Sequence, residues 1–292
     1  MDKTPLIGII GGTGLGDALA KRIEHPVLNE TDTPFGKPSG AILTGMLGRH
    51  RVAFLNRHGQ GHRLNPSRVP YAANIFAFKA LGVTTLIASG AVGSLSETIH
   101  PGHLALVDQF IDKTFRRQNT FFDPLGAVHV EFAQPCCLRL REKIMQAAEQ
   151  IDAMTHTDGV YVCMEGPQFS TRAESLMHRA WGGELIGMTA MPEAKLAREA
   201  QMCYALVALV SDFDCWRPHD QTADKKGLLE EILGNLHHAT ENAVKLIEKT
   251  LTLDHALCDD ACPCRKSLEL AVWSSQDAMD PTVRNKLAPL FT

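Results

Sequence analysis

The feature that most constrains this chain is a repeated alternation. Short apolar runs end in glycine or a polar residue, and stretches with helical spacing follow them. Leu6-Ile7-Gly8-Ile9-Ile10 runs into Gly11-Gly12-Thr13-Gly14, and residues 51–56 run into Arg57-His58-Gly59. Residues 84–88 read as a third strand ending at Ser89-Gly90-Ala91-Val92-Gly93, a small-residue turn. Residues 104–110, 160–164, 184–188 and 204–210 complete seven strands, the last ending at Ser211-Asp212-Phe213-Asp214. Helical spacing covers 71–81, stopped by Gly82, and also 137–151, 172–181, 192–200 and 226–250. This pattern predicts an α/β fold. At 292 residues the chain suits one large α/β domain or two small ones.

In open α/β sheets, ligands bind beyond the carboxyl ends of the strands. Thr13, Arg57, His58, Gly90, Ala91, Met188, Thr189, Asp212 and Asp214 all lie at such ends and are expected to share one crevice. The glycines near Thr13 let backbone N–H groups turn toward an anion. Neither the dinucleotide spacing nor a phosphate-loop lysine accompanies them, and a plain tight turn is the alternative. Arg57 offers a planar fork for phosphate oxygens and His58 a second donor, with a structural salt bridge as the alternative. His62, Arg63 and Arg68 add local positive charge. Asp212 and Asp214 could bind a metal, exchange protons, read a base edge, or merely cap a helix.

Composition removes several function classes. Lys and Arg total 29 and Asp and Glu 33, a net charge of −4, with no basic run suited to nucleic acid. No apolar stretch approaches the roughly 20 residues of a membrane span. The opening MDKTPLIGIIGGTGLGD does not read as a secretory leader, so a soluble cytoplasmic protein is expected. Cys136, Cys137, Cys163, Cys203 and Cys215 read as buried thiols. Cys258, Cys262 and Cys264 cluster near the end as C-x3-C-x-C. Zinc sites usually want four ligands and C-x2-C spacing, and only His255 lies near enough in sequence to complete a set. No metal is therefore expected, and these cysteines read as free thiols or one disulfide. A redox-responsive tail is a further option.

Seven segments taken together resemble one family. GIIGGTGLGD, DTPFGKPSG, RHGQGHRLNPSRVPYAANIFAFKALG, GAVGSLSETIHPGHLALVDQFIDKT, EGPQFSTRAES, GMTAMPEAKLAREA and SDFDCW are similar to the trimeric purine nucleoside phosphorylases, of the S-methyl-5'-thioadenosine phosphorylase type. The resemblance covers about residues 5–250. It implies a single domain over 1–250 with a mixed twisted central sheet flanked by helices. Residues 251–292 would then be an extension packed on that domain or on a neighbouring subunit.

It also implies phosphorolysis of S-methyl-5'-thioadenosine, with inorganic phosphate as co-substrate, no cofactor and no covalent intermediate. Thr13, Arg57, His58, Gly90, Ala91 and Thr189 match the phosphate ligands. Met188 matches the residue beneath the sugar, Asp212 the catalytic residue facing purine N7, and Asp214 a reader of the base edge. His129 matches a histidine supplied by a neighbour, which implies a homotrimer, or a hexamer built as a dimer of trimers. Ser170 and Asp212 stand where 6-oxopurine enzymes usually carry glutamate and asparagine. An amino group at C6 wants an acceptor, so adenine is favoured. A 6-oxopurine or broad-specificity phosphorylase is the alternative, and an idle nucleoside- or phosphate-binding protein a second. Three positions depart from the pattern: Gly90 where threonine is common, Gly187 where asparagine is common, and Lys225-Lys226 in a usually apolar segment.

Overall fold

A computed structural model describes residues 5–217, 225–253 and 257–292. The chain order begins β1 (Leu6–Gly11), α1 (Leu15–Ala20), β2 (Glu24–Asn29), β3 (Ile42–Leu47), β4 (His50–Asn56) and α2 (Tyr71–Ala80). It continues with β5 (Val83–Ser94), β6 (Leu104–Leu106), β7 (Gln109–Lys113), α3 (Leu138–Ala148), β8 (Thr155–His156) and β9 (Val160–Met164). It closes with α4 (Arg172–Ala180), β10 (Leu185–Gly187), α5 (Glu193–Glu199), β11 (Cys203–Asp212), α6 (Lys225–Thr252) and α7 (Pro281–Lys286). This is the α/β fold that the alternation predicts, with the mixed sheet and flanking helices that the resemblance implies.

The sheet runs β2-β3-β4-β1-β5-β10-β9-β7, and β11 joins β5 to β6. The centre is parallel: β1 lies between β4 and β5, and β11 follows β5 in register from Cys203 against Thr85. These strands read as near-continuous apolar runs because both faces are covered. β1 is buried throughout, and β11 is buried up to its last residue, Asp212. One face packs Leu15, Leu19, Ile144, Ala243 and Ile247. The other packs Ile75, Phe78, Leu196 and Phe121. Side-chain alternation along each strand sends successive residues to these two layers.

Two expectations change. Ser89 to Ser94 is not a turn but the second half of β5, which stays extended because β11 pairs with it as far as Asp212 opposite Gly93. The strand expected over 104–110 is two strands. It breaks at Val107-Asp108, where the Asp108 carboxylate leaves the ladder to accept the Gly159 N–H at 2.9 Å. The edge pair β2 and β3 was not foreseen, and β2 is exposed along nearly its whole length.

The segment after α6 returns to the main body. Leu268, Ala271, Met279, Leu287 and Leu290 join the principal apolar cluster. Lys79 Nζ donates to the Thr292 carbonyl at 2.9 Å, and Gln201 Nε2 to that of Leu290 at 3.0 Å. Among the described residues no helix is long and apolar enough to cross a membrane.

Candidate active site

A cavity of about 560 Å³ opens at the carboxyl ends of β1, β4, β5, β10 and β11. Its lining includes Thr13, Arg57, His58, Gly90, Ala91, Met188, Thr189, Asp212 and Asp214, all nine residues expected to converge. Ser170 lines it as well. The site therefore follows from topology: the parallel strands β4, β1, β5 and β11 deliver their ends to one side of the sheet, and β10, antiparallel to the last residues of β5, brings Met188 and Thr189 to the same place.

One end of the cavity carries a buried guanidinium. Arg57 is fully buried and held on both edges. Its Nε and Nη2 donate to the two carboxylate oxygens of Glu193 at 2.7 and 2.9 Å, and Nη1 donates to the Ser89 carbonyl at 2.7 Å. Burial opposes the guanidinium charge, but the Glu193 carboxylate more than offsets it and keeps Arg57 protonated. A guanidinium has five N–H donors, so donors remain for a ligand. Nη1 faces the floor of the cavity: a side chain at Gly12 would start 3.0 Å from it. A side chain at Gly90 would start 3.3 Å from Thr189 Oγ1, so Gly90 leaves that hydroxyl uncovered.

His58 is neutral. Burial, then the charge of Arg57, lower it from 6.5 to about 4. Its Nδ1 lies 2.8 Å from the Leu64 carbonyl, which can only accept, so Nδ1 carries the proton and Nε2 is an acceptor. The ring stacks on His62, centroids 4.1 Å apart.

The other end carries carboxylates. Asp212 closes β11 opposite Gly93, and a side chain at Gly93 would start 3.1 Å from Asp212 Oδ1. That oxygen accepts the Asp214 N–H at 2.7 Å, and Oδ2 accepts the Ser211 hydroxyl at 2.7 Å. The short loop back to Asp214 puts this residue at φ 50°, a conformation that aspartate tolerates better than most. Burial, with Asp212 alongside, raises the Asp214 carboxyl above its ordinary value.

Between the two ends the lining is apolar, with Met164, Phe169, Ile186 and Met188 on one side and Leu229, Ile232 and Leu236 of α6 on the other. α6 spans the whole wall. A side chain at Gly14 would collide with its Thr240, and its Asn235 donates to the Ser211 carbonyl at 3.2 Å. The Met188 segment is held from behind. Arg117 donates to the carbonyls of Met188 at 2.7 Å, Met191 at 2.5 Å and Glu165 at 2.7 Å. One buried cation thus ties the loop after β9 to the loop after β10. Gly187 also has a physical reason. Tyr161 fills the space where a side chain would stand, its Oη 2.1 Å from the Cβ position.

One expected site residue stands elsewhere. His129 is exposed, hydrogen-bonded through its N–H to the Ala271 carbonyl at 2.8 Å and packed edge-on against Trp273. Lys225 opens α6, the helix whose Leu229, Ile232 and Leu236 line the cavity. His255 lies outside the described residues.

Sequence reasoning passed over Glu193, Arg117 and Phe169. Glu193 had one visible signal, an acid beside proline in the otherwise apolar Ala190-Met191-Pro192-Glu193-Ala194. Arg117 and Phe169 had none.

The model of the Phosphorylase superfamily matches residues 6–252. The chain is 44% identical over 282 residues to the S-methyl-5'-thioadenosine phosphorylase of Cereibacter sphaeroides, covering 97% of this chain and 96% of that protein. It is 42% identical to the protein of the same name from Nitrosopumilus maritimus, covering 93% of this chain and 99% of that one. Among solved structures, a methylthioadenosine phosphorylase sourced from an antarctic soil metagenomic library aligns with a TM-score of 0.88 at 41% identity, over 99% of both chains. The methylthioadenosine phosphorylase of Schistosoma mansoni in complex with adenine aligns at 0.83 and 34% identity, over 94% of this chain and 100% of that one.

Proposed function

The chain belongs to the phosphorylase superfamily, and we propose that its cavity performs the phosphorolysis of S-methyl-5'-thioadenosine to adenine and 5-methylthioribose 1-phosphate. The observation that carries this reading is Asp212. Its carboxylate is fixed three residues further along the paired strands than Gly90, where Arg57 and Thr189 meet. This spacing supports a reading with an anion site and a proton-handling carboxylate at opposite ends of one apolar chamber.

In this reading a phosphate oxygen forms a bond to the anomeric carbon while the bond to purine N9 breaks, its electron pair leaving with the base. Arg57, Thr189, Thr13 and the Ala91 N–H hold the phosphate, and Gly90 leaves room for it. The neutral His58 accepts the phosphate's own hydroxyl proton at Nε2. The bound dianion stabilises the cationic sugar, and Asp212 supplies the proton that neutralises the departing purine at N7. Asp214 accepts from the 6-amino group, and Met188 lies beneath the sugar. The apolar wall of Leu229, Ile232 and Leu236 suits a methylthio group better than a hydroxyl. Inorganic phosphate is the co-substrate, and neither cofactor nor metal takes part in the step.

The enzyme works as a homotrimer in this reading, with His129 reaching a neighbour's cavity. The exposure of His129 and of Phe169 at the cavity mouth supports a covering subunit. Light scattering reads the assembly directly, and a monomer of full activity refutes it.

The decisive experiment is a panel of methylthioadenosine, adenosine and inosine, with and without phosphate, followed by chromatography of the free base. Phosphate-dependent release of adenine, fastest from methylthioadenosine, is expected. Faster release of hypoxanthine from inosine overturns the base assignment, and no release from any nucleoside overturns the activity.

A further inference from the structure

Outside the cavity, one cluster gathers side chains of a single chemistry. Cys137 caps the N-terminus of α3, Cys203 opens β11, and Cys262 and Cys264 flank the start of the turn Pro263–Lys266 in the C-terminal segment. Their four sulfur atoms all lie within 4.8 Å of one another, and all four residues are buried. Cys137 and Cys262 Sγ are 3.6 Å apart. None of the four lines the cavity.

We propose that Cys137, Cys203, Cys262 and Cys264 form a closed tetrathiolate site for one zinc ion, which clasps the C-terminal segment to the sheet.

The dimensions argue for it. Zinc–sulfur bonds of about 2.3 Å in a tetrahedron separate the sulfurs by about 3.8 Å. A disulfide would draw two of them to about 2.05 Å. The observed spacing is that of ligands around a shared centre, and all eight cysteines of the chain are unbonded thiols. The convergence is also costly to explain otherwise. Three separate segments deliver small polarisable groups to one point in an apolar layer that includes Leu140, Leu246 and Leu257. That surround excludes water and gives the closed shell of a structural site.

The charge of a tetrathiolate complex has partners close by. Cys137 stands at the positive end of α3. Arg265 Nε is buried with no hydrogen-bond partner among the described residues. Soft thiolates select zinc-like ions over magnesium or calcium. A fifth thiol, Cys258, lies 3.8 Å from Cys137 and is only half-buried. It stands outside the mutually close set, so the ion does not depend on it.

Sequence reading saw the tail trio without a metal, because the other two ligands, Cys137 and Cys203, stand 125 and 59 positions before Cys262 in helix and strand contexts.

The test is elemental analysis of the full chain, expressed with zinc and dialysed without chelator, beside the spectrum of cobalt-exchanged protein. About one zinc per chain is expected, and the cobalt protein should show intense thiolate charge-transfer and tetrahedral d–d bands. The variant Cys262→Ser/Cys264→Ser should lose zinc by about tenfold or more, while Cys258→Ser keeps it. Three results overturn the proposal: metal-free protein with free thiols or a disulfide by non-reducing mass spectrometry, iron in place of zinc, or unchanged zinc in the double variant. The cobalt spectrum needs no substitution, so it stands even if the variant misfolds.

Discussion

Gly187→Ala probes how the cavity floor is kept in position. A methyl group there would start 2.1 Å from Tyr161 Oη and 2.6 Å from its Cζ. Non-bonded heavy atoms settle at about 3.5 Å or more, so the ring must retreat by roughly 1 Å. Tyr161 is 1% exposed, so there is no solvent for it to move into. Overpacking of this kind costs about 1–3 kcal/mol. For a chain of this size each kcal/mol lowers the melting temperature by roughly 2–4 °C, so a loss between about 2 and 12 °C is expected. The Tyr161 hydroxyl also accepts the Thr189 N–H at 3.3 Å, so the retreat of the ring should displace Thr189 and raise KM for phosphate more than KM for the nucleoside. Calorimetry and initial rates at varied phosphate measure both effects. Tyr161→Leu should relieve the clash, making the double variant less damaged than the sum of the singles by about 1 kcal/mol. An unchanged melting temperature and phosphate KM in Gly187→Ala would show that this contact does not position Thr189.

Four further outcomes follow from the site. Asp212→Asn should lower kcat for adenine release by about 10²–10⁴ with little change in stability, and a loss below tenfold would remove Asp212 as proton donor. Glu193→Ala leaves Arg57 buried without its carboxylate. It should cost about 3–5 kcal/mol by denaturant unfolding, and a loss under 1 kcal/mol would contradict the pairing. Gly90→Ser places a hydroxyl beside Thr189 and Arg57 and should lower phosphate KM by about fivefold, worth one hydrogen bond; a higher KM would mean that the 3.3 Å approach to Thr189 is too tight. His58 gives a pH signature. Its folded value, lowered to about 4 from 6.5, means that between those values the unfolded chain binds the extra proton. Stability is therefore lost as pH falls from 6.5 toward 4, by up to about 3 kcal/mol. Urea midpoints of the wild type should drop over that window relative to His58→Gln, and parallel curves would refute the neutral-histidine assignment.

The strand ends were legible because parallel, doubly covered strands must be apolar, and the first polar residue after each one marks where the chain leaves the sheet. Thr13, Arg57, Thr189 and Asp212 were found this way. The course of β5 past Ser89 was not, since glycine and alanine look like a turn unless a partner strand is known to run beside them. Glu193 escaped notice because its role is defined by Arg57, which is far away in sequence and meets it only in the folded core. The edge strand β2 carries no alternation, with both sides exposed in Glu24–Asn29. The thiol cluster was hidden for the same reason as Glu193: local spacing describes the tail, but Cys137 and Cys203 reach it only through the packing of α3 and β11.

The unbroken run of β5 has a consequence for how substrate choice can drift. Gly90 and Gly93 lie on one strand, and β11 pairs beside it from Ala208 opposite Gly90 to Asp212 opposite Gly93, with one register shift after Val210. At about 3.3 Å per residue the strand is a ruler of roughly 10 Å, graduated at one end by Arg57 and Thr189 and at the other by the Asp212 carboxylate. An insertion or deletion here would shift one mark against the other and turn every later side chain to the opposite face. The length standard is therefore frozen. New nucleosides must be accommodated through α6 and the segment from Met164 to Ser170, which line the chamber without setting its scale.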